Sequence, residues 1–376
     1  MKIGIVCYPS LGGSGVVATE LGHALAKRGH EVHFITYEPP FRLNINEENI
    51  FFHEVDIFQY DLFRYPDYAL NLAVKIAQVV DAHHLDILHV HYAIPHATSA
   101  FLAKQLLGSQ SPAIMTTLHG TDITLVGRDP SYYKIVKFSI EQSDAVSVVS
   151  EGLRLETRDS FGISKKINVI YNFFDPQPSL DAQKPMRERF VASGEKLIIH
   201  VSNFRSVKRV EDVVKIFQRI NLNIPSKLLL VGTGEGLEPI RLQVNALGLE
   251  ERVIFVGKIR EVDPYIASAD LFLLPSAHES FGLVALEALS YGVPVIASNV
   301  CGLPEVVTHG ETGYLAPTGD VDAMSHFALN LLTDSNLYEK MSAKAKQDAR
   351  ERFSLEKILP QYLAIYQEIA PKTAVS

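Results

Sequence analysis

A short apolar run, Leu271 to Leu274, is closed by a proline and followed by a polar turn. A continuous apolar run of this length, bounded by a turn signal, is typical of a strand buried on both faces of a parallel sheet. The residues Leu283 to Leu289 predict a helix, and Tyr291 to Ala297 predicts a helix stop and the next buried strand. This order of strand, helix and strand predicts a doubly wound α/β sheet.

The N-terminal region repeats this order. Ile3 to Tyr8 and Glu31 to Thr36 predict strands, and Val16 to Arg28 predicts the helix between them. A length of 376 residues favours about two domains. We expect them at residues 1–174 and 175–354, with Phe174 to Gly194 as a proline-containing linker and a last helix, 355–370, that packs back on the first domain.

Composition excludes several classes of partner. The formal net charge is −8, which argues against nucleic acid or an anionic membrane. No apolar run approaches the ~18 residues of a membrane span, and the N-terminal strand is too short for a signal peptide. The two cysteines, Cys7 and Cys301, are expected to be buried free thiols in a reducing cytoplasm.

The segment His278 to Glu287 is the strongest candidate site. Backbone N–H groups of Ser280, Phe281, Gly282 and Leu283 are expected at a helix start, where an anion is favoured. If most of the span between Glu279 and Glu287 is helical, it rises roughly 12 Å. One of the two carboxylates could then contact one end of an elongated ligand, and the other carboxylate could contact the far end. A solvent-exposed helix face is the alternative interpretation of the two glutamates.

Cations and glycines precede two other predicted helices. Arg205, Lys208 and Arg209 follow the strand 196–202 and suit a nucleotide diphosphate. Gly13 to Ala18 fits G-x-G-x-x-A, with Glu38 downstream, which is a dinucleotide-binding pattern. A glycine loop that faces a phosphate is the other interpretation, and we favour it because the loop is longer than a tight turn.

Polar clusters follow two strands of the first domain. His91 to His96 follows the strand 86–91, and His119 to Asp122 follows the strand 115–118. Because functional side chains collect at the carboxyl ends of parallel strands, both clusters are candidates. A metal site formed by His89, His91, His96 and His119 is a weaker interpretation, since no carboxylate or cysteine completes the set. Asp320-Val-Asp322 is interpreted as a helix N-cap and not as a metal motif.

The chain resembles the retaining glycosyltransferases of family 4, which have the two-domain GT-B fold. The resemblance rests on Glu279-x7-Glu287, Tyr291-Gly-Val-Pro-Val and Pro304-Glu-Val-Val, and on Lys208 in the family pattern Gly-Arg-x-x-x-Lys-Gly. Asn203 stands where that pattern has its arginine, and Arg205 is the candidate replacement. The resemblance implies two Rossmann-like domains that face a central cleft, with an acceptor-binding N-terminal domain and a nucleotide-sugar-binding C-terminal domain.

Several segments of the first half resemble one branch of this family, which makes the glucosaminyl malate precursor of bacillithiol. They include Cys7 to Gly15, His89 to Ala97 and Thr116 to Thr124. The resemblance implies transfer of N-acetylglucosamine from UDP-GlcNAc to the hydroxyl of L-malate, with no metal and no cofactor. The sequence leaves the oligomeric state open, and a homodimer is one of the states that it allows.

The implied site residues fall into three groups. The catalytic group is His119, Lys208 and Glu279. The donor group is Gly15, Asn203, Arg205, Lys208, Gly257, Glu279, Ser280, Phe281, Gly282, Leu283, Val284 and Glu287. The acceptor group is Gly13, Ser14, Arg64, Tyr92, Thr121 and Asn172, with Arg128 and Lys137 in reserve, since a dicarboxylate needs cations and N–H donors.

Other functions stay open on the sequence alone. They are a related transferase with inositol phosphate or a lipid as acceptor, a UDP-GlcNAc 2-epimerase-like enzyme with carboxylates as acid and base, a dehydrogenase, and a sugar-binding protein without catalysis.

Overall fold

The strands form two separate, fully parallel sheets in the computed structural model, which describes residues 1–9, 12–57, 67–127, 129–174 and 183–370. The chain divides into two compact units, Met1–Asn172 with Leu355–Ser376, and Phe173–Ser354. Each unit has its own sheet and its own core. The predicted fold class, two doubly wound Rossmann-like units, is confirmed.

The first unit has seven strands in the order β3-β2-β1-β4-β5-β6-β7. They are β1 Lys2–Val6, β2 Glu31–Thr36, β3 Ile50–Glu54, β4 Ile87–His91, β5 Ala113–Leu118, β6 Ala145–Val148 and β7 Ile167–Val169. The helices are α1 Gly13–Ala26, α2 Tyr68–His83, α3 Thr98–Leu107, α4 Pro130–Gln142 and α5 Glu151–Phe161. Two short helical turns, Ala93–Ala97 and Asp122–Val126, follow β4 and β5, and the first is interrupted at Ile94, whose backbone is extended.

The second unit has six strands in the order β10-β9-β8-β11-β12-β13. They are β8 Lys196–Val201, β9 Ser226–Val231, β10 Val253–Gly257, β11 Leu271–Leu274, β12 Val295–Ser298 and β13 Gly313–Ala316. The helices are α6 Gln183–Glu188, α7 Val210–Asn221, α8 Leu237–Ala246, α9 Asp263–Ala267, α10 Leu283–Ser290, α11 Leu303–Val306, α12 Val321–Thr333 and α13 Ser335–Phe353. The last helix, α14 Leu355–Ile369, belongs to the first unit.

Local sequence signals explain where many helices begin. Asp67, Asp129 and Ser150 accept a backbone N–H bond at the starts of α2, α4 and α5. Asp320 does the same for α12, accepting from Ala323 N at 2.9 Å, so its interpretation as an N-cap is confirmed. A side-chain oxygen at this position satisfies a donor that the helix itself leaves unpaired.

Two predicted boundaries are wrong. Helix α1 begins at Gly13 and not at Val16, so Gly13 and Gly15 form its first turn and not a loop. The predicted linker includes helix α6, and its Arg187 donates to the carbonyls of Ser268 and Glu195 at 2.9 Å. The residues from 183 onward therefore belong to the second unit, because they are tied to its body by hydrogen bonds.

Smaller differences concern strand ends, a helix and a cysteine. The sequence also predicts strands at Ala145 to Ser150 and at Ile167 to Phe173. In the structure these strands end earlier, at Val148 and Val169, and helix α5 is not among the predicted elements. Both cysteines are free thiols, but only Cys7 is buried, whereas Cys301 is exposed. The prediction that both thiols are buried is therefore wrong for Cys301. None of the helices within the described ranges combines the length and apolar character that a membrane crossing needs.

Candidate active site

The strand order of the second unit reverses between β8 and β11, which lie side by side. The loops that follow these two strands leave the same edge of the sheet, and ligands of doubly wound folds bind at such a point. The loop after β8 carries Lys208, and the loop after β11 carries Glu279. The Nζ atom of Lys208 lies 2.6 Å from Oε1 of Glu279. The structure thus joins two predicted site residues that are 71 positions apart.

The carboxylate of Glu279 is buried and held by more than one donor. Ser276 Oγ donates to the same Oε1 at 2.9 Å. The two loops are also joined through the backbone, since Ala277 N donates to Val207 O at 2.8 Å. Gly302 N donates to the carbonyl oxygen of Glu279 at 3.0 Å. Glu279 therefore occupies a fixed position, as a residue that orients a substrate must.

Helix α10 begins four residues after Glu279. Its N-cap, Gly282, has φ +94°, and a Cβ there would lie 2.6 Å from Cδ2 of Leu303. The first intrahelical bond is from Ala285 N to Gly282 O, at 2.9 Å. The N–H groups of Leu283 and Val284 precede it and are directed out of the helix start. Their positive dipole end favours an anion near the Lys208–Glu279 pair.

The segment between the two signature glutamates is only partly helical. Residues 283–287 are helical, and Glu279 to Gly282 is not. The rise of roughly 12 Å calculated for a continuous helix therefore does not apply. The Phe281 ring is buried and packs edge-on against Phe353, with ring centroids 5.7 Å apart. A ligand would therefore contact the backbone of Phe281 and not its ring.

A glycine turn supports the loop after β8. Cβ atoms at Gly232 and Gly234 would lie 1.8 Å from Ser202 O and 1.9 Å from Asn203 O. Only glycine allows the two backbones to approach this closely. The turn thereby fixes the backbone that leads into Arg205, which is exposed at the head of a 3-10 turn, Ser206–Lys208.

The three cations after β8 have different environments. Arg209 Nε donates to Asp212 Oδ2 at 2.7 Å, and Lys215 approaches the other oxygen of this buried carboxylate at 3.1 Å. The charge of Arg209 is therefore paired with Asp212 in the first turn of helix α7. Lys208 faces Glu279, and Arg205 remains at the surface. The expected three-cation cluster thus reduces to Lys208 and Arg205.

Other predicted donor residues lie at the same edge of this sheet. Gly257 ends β10 with φ +79°, and its carbonyl accepts from Gly232 N at 2.8 Å. Asn203 is exposed in the loop after β8. Glu287 is half-buried on helix α10.

The strand order of the first unit reverses between β1 and β4. Tyr92 directly follows β4, and its hydroxyl donates to Ser14 Oγ at 2.6 Å in the first turn of α1. Tyr92 has φ +90°, a backbone conformation that is rare outside glycine. Its N–H donates to Thr117 O at 2.9 Å. Two predicted acceptor residues, Tyr92 and Ser14, therefore meet at the reversal point of this sheet.

His119 lies beside this pair. Its Nε2 is 2.8 Å from Nδ1 of His91, and its ring centroid is 5.3 Å from that of Tyr92. Burial lowers the pKa of His119 to about 3. His119 is therefore neutral at pH 7 and can act as a hydrogen-bond partner, but not as a cation.

Asp122 is the residue of this region that sequence reasoning left without a role. Its Oδ2 accepts from Ala93 N at 3.0 Å and its Oδ1 accepts from Gly120 N at 3.1 Å. The carboxyl group thus joins the loops after β4 and β5. Burial raises its pKa to about 6, against the opposing effect of these hydrogen bonds. The position of an acid just after a strand end was the signal that could have identified it.

The remaining predicted residues have various environments. Asn172 is buried, Thr121 is exposed, and Lys137 pairs with Glu141 on helix α4 at 3.9 Å. Arg64 and Arg128 lie outside the described residues. The ring nitrogens of His89 contact Tyr366 OH and Thr117 Oγ1, each at 2.7 Å, so this histidine of the suggested metal set is engaged in hydrogen bonds.

Comparison with known proteins shows which class of protein has these two units. Two families match the chain, Glycosyltransferase Family 4 over residues 11–178 and Glycosyl transferases group 1 over residues 182–348. Sucrose-phosphate synthase from Thermosynechococcus elongatus has the same fold, with a TM-score of 0.80, 24% identity and 98% of each chain covered. The structure of Anabaena HepE in complex with UDP-glucose also has this fold, with a TM-score of 0.81 and 20% identity. The match covers 98% of this chain and all of the HepE chain.

A curated relative is much closer in sequence. The N-acetyl-alpha-D-glucosaminyl L-malate synthase of Bacillus anthracis is 50% identical over 371 residues, 98% of this chain and 97% of the relative. The chain belongs to the family 4 glycosyltransferases, as the sequence resemblance implied, and is an enzyme of this class.

Proposed function

We propose that the protein transfers N-acetylglucosamine from UDP-GlcNAc to the hydroxyl of L-malate, with retention of the α configuration, as the first step of bacillithiol biosynthesis. The observation that carries this proposal is the contact between Lys208 and Glu279 beside the start of α10. A cation, a fixed carboxylate and free helix N–H groups match a leaving diphosphate joined to a sugar. The substrate pair follows the 50% identical relative, whose name specifies the glucosaminyl group and malate.

The second unit is the proposed donor-binding unit. Lys208, Arg205 and the N–H groups of Leu283 and Val284 stabilise the negative charge that develops on the β-phosphate as the C1–O bond breaks. Glu279 accepts hydrogen bonds from sugar hydroxyls, and it does not attack C1. Glu287 binds the nucleotide ribose, and Gly257 borders the base.

The reaction proceeds on one face of the sugar. The malate oxygen forms a bond to C1 as the bond to the phosphate oxygen breaks, and the malate hydroxyl proton passes to that departing oxygen. No protein nucleophile is required. His119, neutral at pH 7, holds a sugar hydroxyl by a hydrogen bond, since burial keeps its pKa near 3.

The first unit is the proposed acceptor-binding unit. Tyr92 and Ser14 offer hydroxyl groups, and the start of α1 offers backbone N–H groups. Arg64 is the proposed cation for a malate carboxylate. Both substrates are small metabolites, and we place the reaction in the cytoplasm, without nucleic acid or membrane as partner; a homodimer is compatible with it.

The decisive experiment measures UDP release from UDP-GlcNAc with and without L-malate, in EDTA, with mass analysis of the product. Malate-dependent release together with a glucosaminyl malate product supports the donor and acceptor. Release with inositol phosphate but not with malate would keep a family 4 transferase and reject malate. Release without any acceptor would favour a 2-epimerase-like enzyme. Glu279→Ala and Arg64→Ala then separate the donor from the acceptor, because each should raise the KM of one substrate only.

A further inference from the structure

Three histidines from three different elements converge on one flank of the first sheet. His33 lies in β2, His53 lies in the neighbouring edge strand β3, and His83 ends helix α2. One ring nitrogen of each lies within 4.8 Å of the others. The centroid of the His83 ring is 4.5 Å from that of His33 and 5.1 Å from that of His53. The cluster lies along the sheet and not at the carboxyl edge that carries Tyr92 and His119.

A carboxylate determines which nitrogen of His33 faces the other rings as an acceptor. Glu31 Oε1 lies 2.9 Å from His33 Nε2, and Lys2 approaches the same carboxylate at 3.4 Å. Because a carboxylate accepts, Nε2 of the neutral His33 ring carries the hydrogen. Its Nδ1 lone pair then faces His53 Nε2 at 2.8 Å. This arrangement, in which a carboxylate orients a histidine, is the one that metal-binding histidines use.

The distances are close to those of a zinc site. A tetrahedral Zn²⁺ with Zn–N bonds of about 2.0–2.1 Å separates its ligand nitrogens by about 3.3 Å. The 2.8 Å contact between His33 and His53 would open by only a fraction of an ångström, and His83 would move inward. Phe51 stacks on His33 with its centroid at 4.9 Å and covers one side of the cluster.

We propose that His33, His53 and His83 bind Zn²⁺ or another divalent transition metal that prefers imidazole, with Glu31 orienting His33 and water completing the coordination. The bound ion joins the edge strand β3 to β2 and to the end of α2, and it takes no part in sugar transfer. This proposal is independent of the proposed function, because none of these residues belongs to the candidate active site.

The test is a zinc competition titration at pH 7 with a chromophoric chelator on the full chain. We expect one ion per wild-type chain at this site, and at least tenfold weaker binding in His53→Gln and in His83→Gln. Glu31→Gln should weaken binding about 10- to 100-fold, because outer partners of ligands have effects of this size. His84→Gln is the matched control, since His84 is the exposed neighbour of His83 and should keep wild-type affinity.

A second measurement locates the ion. Zinc should slow amide hydrogen exchange in β3 and at the end of α2 in the wild type and in His84→Gln, but not in His53→Gln, whereas Mg²⁺ should change neither. Circular dichroism checks that each variant is folded. Equal zinc affinity in wild type, His53→Gln and His83→Gln would overturn the proposal, because the ion would then be bound elsewhere. Absence of zinc binding by the wild type would overturn it as well.

Discussion

Lys208 and Glu279 form an ion pair of 2.6 Å between two loops that follow neighbouring strands of one parallel sheet. Ser276 donates to the same carboxylate oxygen at 2.9 Å, so the position of Glu279 does not depend on Lys208 alone. In the proposed mechanism, this pair has a direct consequence for catalysis. A cation fixed in this way can stabilise a leaving phosphate without having to be ordered during the reaction.

Lys208→Met should lower kcat by about 10²- to 10³-fold, the usual effect of removing one fixed group that stabilises transition-state charge. Steady-state UDP release checks this value. Lys340→Met is the control, because Lys340 is an exposed lysine on helix α13 of the same unit. If Lys208→Met retained wild-type kcat, Lys208 would have only a structural role.

Gly282→Ala should destabilise the second unit and reduce transfer. Alanine would have to adopt φ +94° and place its Cβ 2.6 Å from the Leu303 side chain. Each effect costs about 1–3 kcal/mol. Denaturant unfolding measures the loss in free energy.

Gly310→Ala is the matched control for this variant. Gly310 has φ +80°, but a Cβ there would meet no atom within 4 Å. Gly310→Ala should lower the free energy of unfolding only by the cost of the positive φ, about 1 kcal/mol. Equal losses in the two variants would show that the contact with Leu303 relaxes without cost.

Tyr92→Phe should raise the KM for malate several-fold and leave the KM for UDP-GlcNAc unchanged. The variant loses the hydroxyl that donates to Ser14 at 2.6 Å, a bond worth about 0.5–1.5 kcal/mol. Initial rates at varied malate concentration test this. Tyr133→Phe serves as the control, because it removes a tyrosine hydroxyl that bonds Phe161 O elsewhere in the same unit. A parallel rise in both KM values would contradict an acceptor role.

Stability should fall as the pH drops below about 6.5. Burial lowers the pKa of His89 and His119 to about 3 and of His96 to about 4, below the ordinary value of 6.5. The unfolded chain therefore takes up protons that the folded chain does not. Each such histidine lowers the free energy of unfolding by about 1.4 kcal/mol per pH unit between its unfolded and folded pKa values.

Asp122 has the opposite effect over part of this range, because burial raises its pKa to about 6 from 3.8 and the folded state takes up its proton first. Comparison of wild type with His119→Asn at pH 5, 6 and 7 isolates one histidine. The free energy of unfolding of the variant should fall less steeply with decreasing pH than that of the wild type, by about 1.4 kcal/mol per pH unit. An identical slope would show that His119 is protonated equally in both states.

Local signals predicted much of the fold. The strand Leu271–Leu274 was predicted with the observed boundaries. Asp320 was correctly interpreted as an N-cap. Each of these features depends on residues within a few positions of one another. The start of α1 was placed three residues late, because Gly13 and Gly15 are poor helix formers that here occupy a first turn.

The sequence by itself determined the two α/β units, the helix and strand periods within them, and the side chains that could carry the chemistry, Lys208 and Glu279 included. Only the tertiary structure decided which side chains meet. The Ser14 side chain contacts Tyr92, the backbone of Gly234 packs closely against that of Asn203, and the His33 ring contacts that of His53. These contacts form because the strand order brings distant loops and strands together. Periodicity and capping are local properties, whereas these contacts depend on which strands are neighbours, and a local pattern does not contain that information.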